Sequence, residues 1–337
     1  MTVPLLEVRG LSKHFDAGGD GLFGSRRRTV KAVDGVSLAI DEGETLGLVG
    51  ESGCGKSTLA RTVLFLEAPT GGEILFAGKP LTADRARALR RRAQIVFQDP
   101  YSSLPPRMRV GDIVGDPLAI HGLEEGRARA ERVGQLLSDV GLKPADARKL
   151  PNELSGGQRQ RVGIARALAV QPSLIVADEA VSSLDVSVQA QILNLLRDLQ
   201  ERHRLAYLFV SHELGVVKYM SHRIAVMYLG RIVETATSRE LYERPLHPYT
   251  RALMSAAPSI HGPRAGRVRL TGEPPDPSKP PPGCSFHPRC PIAREVCSRD
   301  RPELLEWVPG RLAACHFALE EGVSATSAEA PVGADKA

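Results

Sequence analysis

Three groups of residues in this sequence have types and spacings suited to chemistry. The first is Gly50-Glu51-Ser52-Gly53-Cys54-Gly55-Lys56-Ser57-Thr58, a match to Gly-x4-Gly-Lys-Ser/Thr directly after the apolar run Leu46 to Val49. Its glycines let the backbone curl until successive N–H groups point inward, and a helix start adds its positive dipole end, which makes a cradle for phosphates. There Lys56 reaches the β- and γ-oxygens and the Ser57 hydroxyl ligates Mg²⁺. The second group is Asp178-Glu179, at the end of the apolar run Leu174 to Ala177. Beside a phosphate cradle, Asp178 fits a carboxylate that holds Mg²⁺ directly or through water. Glu179 is then placed to orient and deprotonate a water attacking the γ-phosphorus. The third group is Cys284, Cys290, Cys297 and Cys315, spaced C-x5-C-x6-C-x17-C.

A further stretch, Leu154-Ser155-Gly156-Gly157-Gln158, discriminates among phosphate-binding proteins. Ser155 is a good N-cap, and two glycines allow close backbone approach before a helix expected from about Gln158 to Val170. One nucleotide does not need two such helix starts. Either this is an ordinary capped helix, or the chain forms a head-to-tail dimer in which the segment covers ATP held by the other subunit. The cysteines also leave alternatives. In a reducing compartment a cluster points to metal rather than disulfides. The close C-x2-C pairs of most zinc sites are missing, and four thiolates can equally hold an iron–sulfur cluster or remain unligated. His287 and His316 are spare ligands or hydrogen-bonding surface residues, and Cys54 reads as a small packing residue within the loop.

The remaining elements must position these groups. The 337 residues are 42% hydrophobic and 25% charged, with a formal net charge of +5. That charge permits contact with an anionic membrane surface or nucleic acid and requires neither. The first residues lack a secretory pattern, and no apolar run reaches the ~18 residues of a membrane span. The expectation is a cytoplasmic protein, peripheral if it serves a membrane. Strands are expected at Leu5 to Phe15, Lys31 to Ile40, Leu46 to Val49, Glu73 to Ala77, Ile95 to Gln98, Ser173 to Asp178 and Tyr207 to Val210. A hairpin follows, turning near Leu229-Gly230. Residues 16–29, with their glycines and arginine triplet, read as a loop, solvated or touching lipid headgroups or a neighbouring subunit. Residues 100–150 read as a helical insertion, and Val188 to Arg202 as a helix. Strands alternating with helices imply a parallel sheet that binds ligands at its carboxyl ends, with antiparallel pieces beside it. Residues 258–283 are rich in proline and glycine, and the small, polar final 17 residues read as a disordered tail.

The phosphate loop, Gln98, LSGGQRQRV (154–162), LIVADE (174–179), SSLD (182–185) and His212, in that order, resemble the ATPase subunit of an ABC transporter over about residues 5–240. The resemblance implies an α/β P-loop NTPase fold with a RecA-like parallel core, an antiparallel β subdomain and a helical subdomain. It places two such domains around two Mg-ATP. It gives Gln98 to Mg²⁺ and water sensing and to coupling with membrane subunits. Ser155 and Gly157, in one turn with Gly156 and Gln158, would contact the partner's γ-phosphate, and Asp185 would communicate across the dimer. His212 would hold the γ-phosphate and Glu179 in line. Phe15 takes the place of an aromatic under adenine, with a core phenylalanine as the other reading. Two departures stand out: Ala180 where many relatives have proline, and Pro105 where asparagine is usual.

GESGCGKST, QDPYSSL, DEAVSSLDVSVQAQILNLL, HPYTRALMSAAP (247–258) and LTGEPPDPSKPPPGCSFHPRC (270–290) resemble the peptide-import branch, to about Phe317. This implies a bacterial importer of dipeptides or oligopeptides at the cytoplasmic face of the inner membrane. Its partners would be two transmembrane permease subunits, an extracytoplasmic peptide-binding protein and, because KST replaces KSVT, a homologous, non-identical ATPase. The branch favours a [4Fe–4S] cluster on the four cysteines over zinc. The division expected is 1–244 for the nucleotide-binding domain, with its helical part at about 100–170, then 245–320 for a four-cysteine C-terminal domain, and 321–337 for the tail. The alternatives are the ATPase of a nickel or other small-solute importer, and a nucleic-acid- or ribosome-associated protein on the same cassette.

Overall fold

The computed structural model describes residues 3–17, 28–99, 101, 103–255 and 272–319. Most of the loop expected at 16–29, much of the proline-rich stretch and the tail at 321–337 lie outside the described residues.

Two long strands, β1 (Leu6–Ala17) and β2 (Arg28–Ile40), pair antiparallel and lead into β3 (Thr45–Val49), which is buried throughout. After β3 come α1 (Lys56–Val63) and the hairpin of β4 (Gly71–Phe76) and β5 (Lys79–Pro80). The hairpin turns through Ala77 and Gly78 at φ 49° and 72°, the double left-handed turn that matches strand twist. Helix α2 (Ala86–Arg92) and strand β6 (Ala93–Val96) follow. The strand expected through Gln98 therefore stops at Val96, and Phe97 and Gln98 enter the loop beyond it. A helical block comprises α3 (Val110–Ile120), α4 (Gly126–Asp139) and α5 (Gly156–Leu168). The core returns with β7 (Leu174–Asp178), α6 (Val186–His203), β8 (Ala206–Val210), α7 (Leu214–Met220) and the hairpin of β9 (Arg223–Tyr228) and β10 (Arg231–Thr237). That hairpin turns at Leu229-Gly230, both left-handed. Last come α8 (Ser238–Glu243), α9 (Pro248–Ser255), α10 (Glu295–Arg299), β11 (Leu305–Val308) and β12 (Arg311–Ala313).

The main sheet has eight strands in the order β11-β12-β10-β9-β3-β8-β7-β6. Strands β6, β7, β8, β3 and β9 run parallel, and β10, β12 and β11 continue antiparallel. A second, antiparallel sheet of four strands, β2-β1-β4-β5, lies beside it. The runs β3, β7 and β8 are buried along their whole length, as strands covered on both faces must be. One hydrophobic cluster joins a face of the main sheet to the helical block, α6 and α7, and a second joins the other face to α1 and the antiparallel sheet.

No local pattern marks the C-terminal segment as part of the main sheet, which it enters through Glu234↔Ala313 and Thr235↔Leu312. Glu234 on β10 also anchors the start of α9. Its buried carboxylate accepts the N–H groups of Leu246 and His247, each at 2.8 Å, and burial pushes its pKa up. His247 is fully enclosed, and the same desolvation pushes its pKa down to about 3, so the ring is neutral.

Candidate active site: a phosphate loop and neighbouring strand ends

The parallel register brings three strand ends onto one line. Leu48 of β3 pairs with Val210 of β8, and Val210 pairs with Asp178 of β7. The residues that follow, Gly50 onward, Ser211-His212 and Asp178-Glu179, therefore meet at one edge of the sheet although they are far apart in sequence.

At the end of β3 the chain turns through Gly53 and Gly55 at φ 76° and 107° into α1. A Cβ on Gly55 would lie 2.0 Å from the Ala32 carbonyl oxygen, so only glycine fits. The buried Lys56 side chain folds over the loop, and its Nζ donates to the carbonyls of Gly50 (2.7 Å) and Glu51 (2.9 Å). Ser57 Oγ donates to Asp178 Oδ1 at 2.9 Å, joining the two expected Mg²⁺ ligands. Burial pushes the Asp178 carboxyl up, against the lowering effect of the Ser57 hydrogen bond. Glu179 takes a left-handed backbone, φ 50°, with its N–H on Val210 O at 2.9 Å. Ser182 closes that turn, donating from N (3.1 Å) and Oγ (3.0 Å) to Glu179 O, so the bend forms with Ala180 in place of proline. His212 Nδ1 lies 3.3 Å from Glu179 Oε2.

A cleft of about 320 Å³ is lined by Ser52 through Thr58, Gln98 and Glu179. Gln98 is exposed, and its carbonyl accepts from Ser183 Oγ at 3.2 Å, tying the loop after β6 to the turn after Glu179. Phe15 is exposed rather than in the core and pairs across the sheet with Val30, at the cleft's rim. A larger cleft of about 560 Å³, between β10 and the C-terminal segment, contains none of the phosphate-loop residues.

Ser155, Gly156, Gly157 and Gln158 form the expected capped helix start. Gln158 N–H donates to Ser155 Oγ at 3.3 Å, and Ser155 N–H to Gln158 Oε1 at 3.0 Å. A Cβ on Gly157 would come within 2.5 Å of Val188 Cγ1. None of the four residues, nor Asp185, lines the phosphate cleft of the same chain. Ser155 and Asp185 are exposed, and Val186 beside Asp185 is 82% exposed. The cleft thus gathers the phosphate loop, Gln98 and Glu179, and leaves the Ser155 turn and Asp185 outside its lining.

The four C-terminal cysteines line a common cavity with Phe286, and all four are free. Burial pushes the Cys284 and Cys290 thiols up to about 11 and also raises Cys315. Among the described residues, no three His, Cys, Asp or Glu side chains converge closely enough to hold a single metal ion. His287 Nδ1 lies 2.9 Å from Cys284 O, and His316 Nε2 lies 3.0 Å from Asp300 O, so both rings contact backbone. Sequence reasoning missed Arg289 and Tyr249, which both hold Glu51. The available signal was the carboxylate itself, since an acidic residue in an anion cradle calls for a cation nearby.

Two strand ends and a glycine-rich turn arranged this way define a P-loop nucleotide-binding site. Residues 33–182 match the family model for the ABC transporter, and residues 233–297 match that for the oligopeptide/dipeptide transporter C-terminal region. The chain is 49% identical over 320 residues to the oligopeptide transport ATP-binding protein AppF of Bacillus subtilis, covering 93% of this chain and 97% of that one. It is 48% identical over 318 residues to the di/tripeptide transport ATP-binding protein DppF of Pseudomonas aeruginosa, covering 93% and 98%. Among solved structures, the dimeric post-hydrolysis state of the ATP-binding cassette MJ0796 with ADP and Pi superposes with a TM-score of 0.61 at 31% identity, over 69% of this chain and 99% of that one. The chain belongs to the ATP-binding subunits of the oligopeptide/dipeptide family of ABC transporters, and it is an ATPase coupled to transport.

Proposed function

We propose that this chain hydrolyses ATP to drive uptake of dipeptides or oligopeptides by a bacterial importer. The observation that carries the chemistry is the joining of Ser57 and Asp178 by a 2.9 Å hydrogen bond beneath Lys56, with the Glu179–His212 pair beside them. In the reaction the loop N–H groups and Lys56 bind the β- and γ-phosphates. Ser57, Asp178 and Gln98 would hold Mg²⁺, whose charge would offset that of the phosphates. Glu179 takes the proton of the attacking water, and His212 holds Glu179 and the γ-phosphate in line. Ser155 and Gly157, which do not line their own cleft, complete the site of a second cassette, and Asp185 links the two sites.

Two transmembrane permeases and a second ATPase complete the transporter in this reading, with the chain at the cytoplasmic face of the membrane. Among the described residues no helix is long and apolar enough to cross a bilayer, which agrees with a peripheral position. The likeness to AppF and DppF and the KST sequence support the second of two non-identical ATPases and the involvement of a peptide-binding protein. Cys284, Cys290, Cys297 and Cys315 fit a [4Fe–4S] cluster by donor set, as four free thiols lining one cavity. The cluster would supply a cross-link for a segment with little core of its own.

Reconstitution with its permease subunits tests the function. ATP turnover that rises with a peptide-loaded binding protein, together with labelled-peptide uptake, is expected. Turnover and uptake that respond to nickel chelates and not to peptides would overturn the peptide assignment.

A further inference from the structure

Glu51 is the only acidic residue within the phosphate loop, and the C-terminal segment grips it at two points. Arg289 donates from Nη1 to Oε2 at 2.7 Å and from Nη2 to Oε1 at 3.0 Å, a two-pronged pair made by a side chain only 5% exposed. The Tyr249 phenol oxygen accepts the Glu51 N–H at 2.9 Å. The Glu51 carbonyl in turn accepts from Lys56 Nζ. Behind these contacts Arg289 donates to Tyr228 OH at 3.3 Å, and the Tyr228 and Tyr249 rings lie 4.7 Å apart, both against Phe286. Phe286 and Arg289 sit between Cys284 and Cys290 in the chain, so the aromatic group and the cation belong to the cysteine segment.

This arrangement has an electrostatic and a conformational consequence. A bare carboxylate in a loop that receives a polyphosphate would repel it, whereas a guanidinium fork neutralises and orients that carboxylate together. A loop held in its bound shape also loses less entropy when the ligand arrives.

We propose that Arg289 is a positioning residue for nucleotide binding: through Glu51 it sets the phosphate loop, so that the cysteine segment governs the cassette's affinity for ATP. The inference rests on the ATP reading of the cleft. Disruption of the cysteine segment would then weaken nucleotide binding without touching any residue that contacts the phosphates.

The test uses the full chain, MgATP affinity measured with a fluorescent ATP analogue, and turnover in the assembled transporter. Arg289→Ala is expected to raise Kd and KM roughly tenfold, with a much smaller change in kcat. Arg289→Lys recovers part of the loss. Adding Glu51→Gln to Arg289→Ala restores affinity, because the repelling charge has gone. Unchanged affinity in Arg289→Ala overturns the proposal. So does a double variant as weak as the single one, which would mark Arg289 as packing alone. An unsubstituted chain that binds no nucleotide would instead overturn the ATP reading, and this inference with it.

Discussion

His212 Nδ1 sits 3.3 Å from Glu179 Oε2, and Glu179 reaches that position from a left-handed backbone at φ 50°. Such a conformation costs about 1–3 kcal/mol in a residue with a Cβ. It is held by the Glu179 N–H on Val210 and by Ser182 on the Glu179 carbonyl. The bend turns the carboxylate away from the strand line and towards the cleft shared with Lys56 and Ser57.

Glu179→Gln keeps this shape and loses the base. ATP turnover in the assembled complex is expected to fall by ~10²–10⁴, the usual range for a general base, while MgATP affinity stays within a few-fold. Single-turnover hydrolysis and equilibrium binding measure both. Near-normal turnover would remove Glu179 from its role.

Ser155 caps α5 and is exposed outside the lining of its own phosphate cleft, which makes a cross-subunit role testable. Ser155→Arg should leave nucleotide binding by the isolated chain unchanged and reduce hydrolysis by the assembled transporter about 10²-fold or more. Full turnover in the assembly would show that the segment covers no partner nucleotide.

The chemistry at both helix starts was legible because it is local. Gly50 to Thr58 and Leu154 to Gln158 each carry turn, cap and ligand-binding groups within a few residues, and Asp178-Glu179 ends an unbroken apolar run. The parallel core followed from runs such as Leu174 to Ala177, which have no polar face. What sequence did not reveal depends on pairings across long distances. Strands β11 and β12 span only four and three residues, without clear alternation, and gain their place from β10. The Arg289–Glu51 pair joins residues 238 positions apart, and no local pattern marks it.

Asp34 offers a pH test of how the antiparallel sheet is fastened. It accepts from Arg231 Nη2 at 2.6 Å and Nε at 3.1 Å, and Arg301 Nη1 lies 4.0 Å away. Burial raises its carboxyl, but the Arg231 hydrogen bonds and the surrounding cations outweigh burial and hold the pKa below the usual carboxylate value. The resulting stabilisation is present above the unfolded value of about 3.9 and is lost as pH falls through the lower folded value. Asp34→Asn should therefore lower Tm by roughly 2–4 °C at pH 7, and the gap should shrink progressively as pH falls below the unfolded value of about 3.9. A gap of constant size across that range would contradict the ion-pair explanation.

The cysteine segment is tested by its metal content. Anaerobically purified protein should contain about four iron and four acid-labile sulfide per chain, and Cys297→Ser should lower both. Protein with neither iron nor sulfide would rule out the cluster, and stoichiometric zinc would replace it with a different centre.

The most direct measurement compares ATP turnover per site in the dilute, isolated chain with that in the complete transporter at saturating MgATP. A site closed by the second cassette's counterpart of the Ser155 turn predicts turnover at least roughly tenfold faster in the assembly. Equal rates for the isolated and assembled chain would contradict catalysis shared between two cassettes.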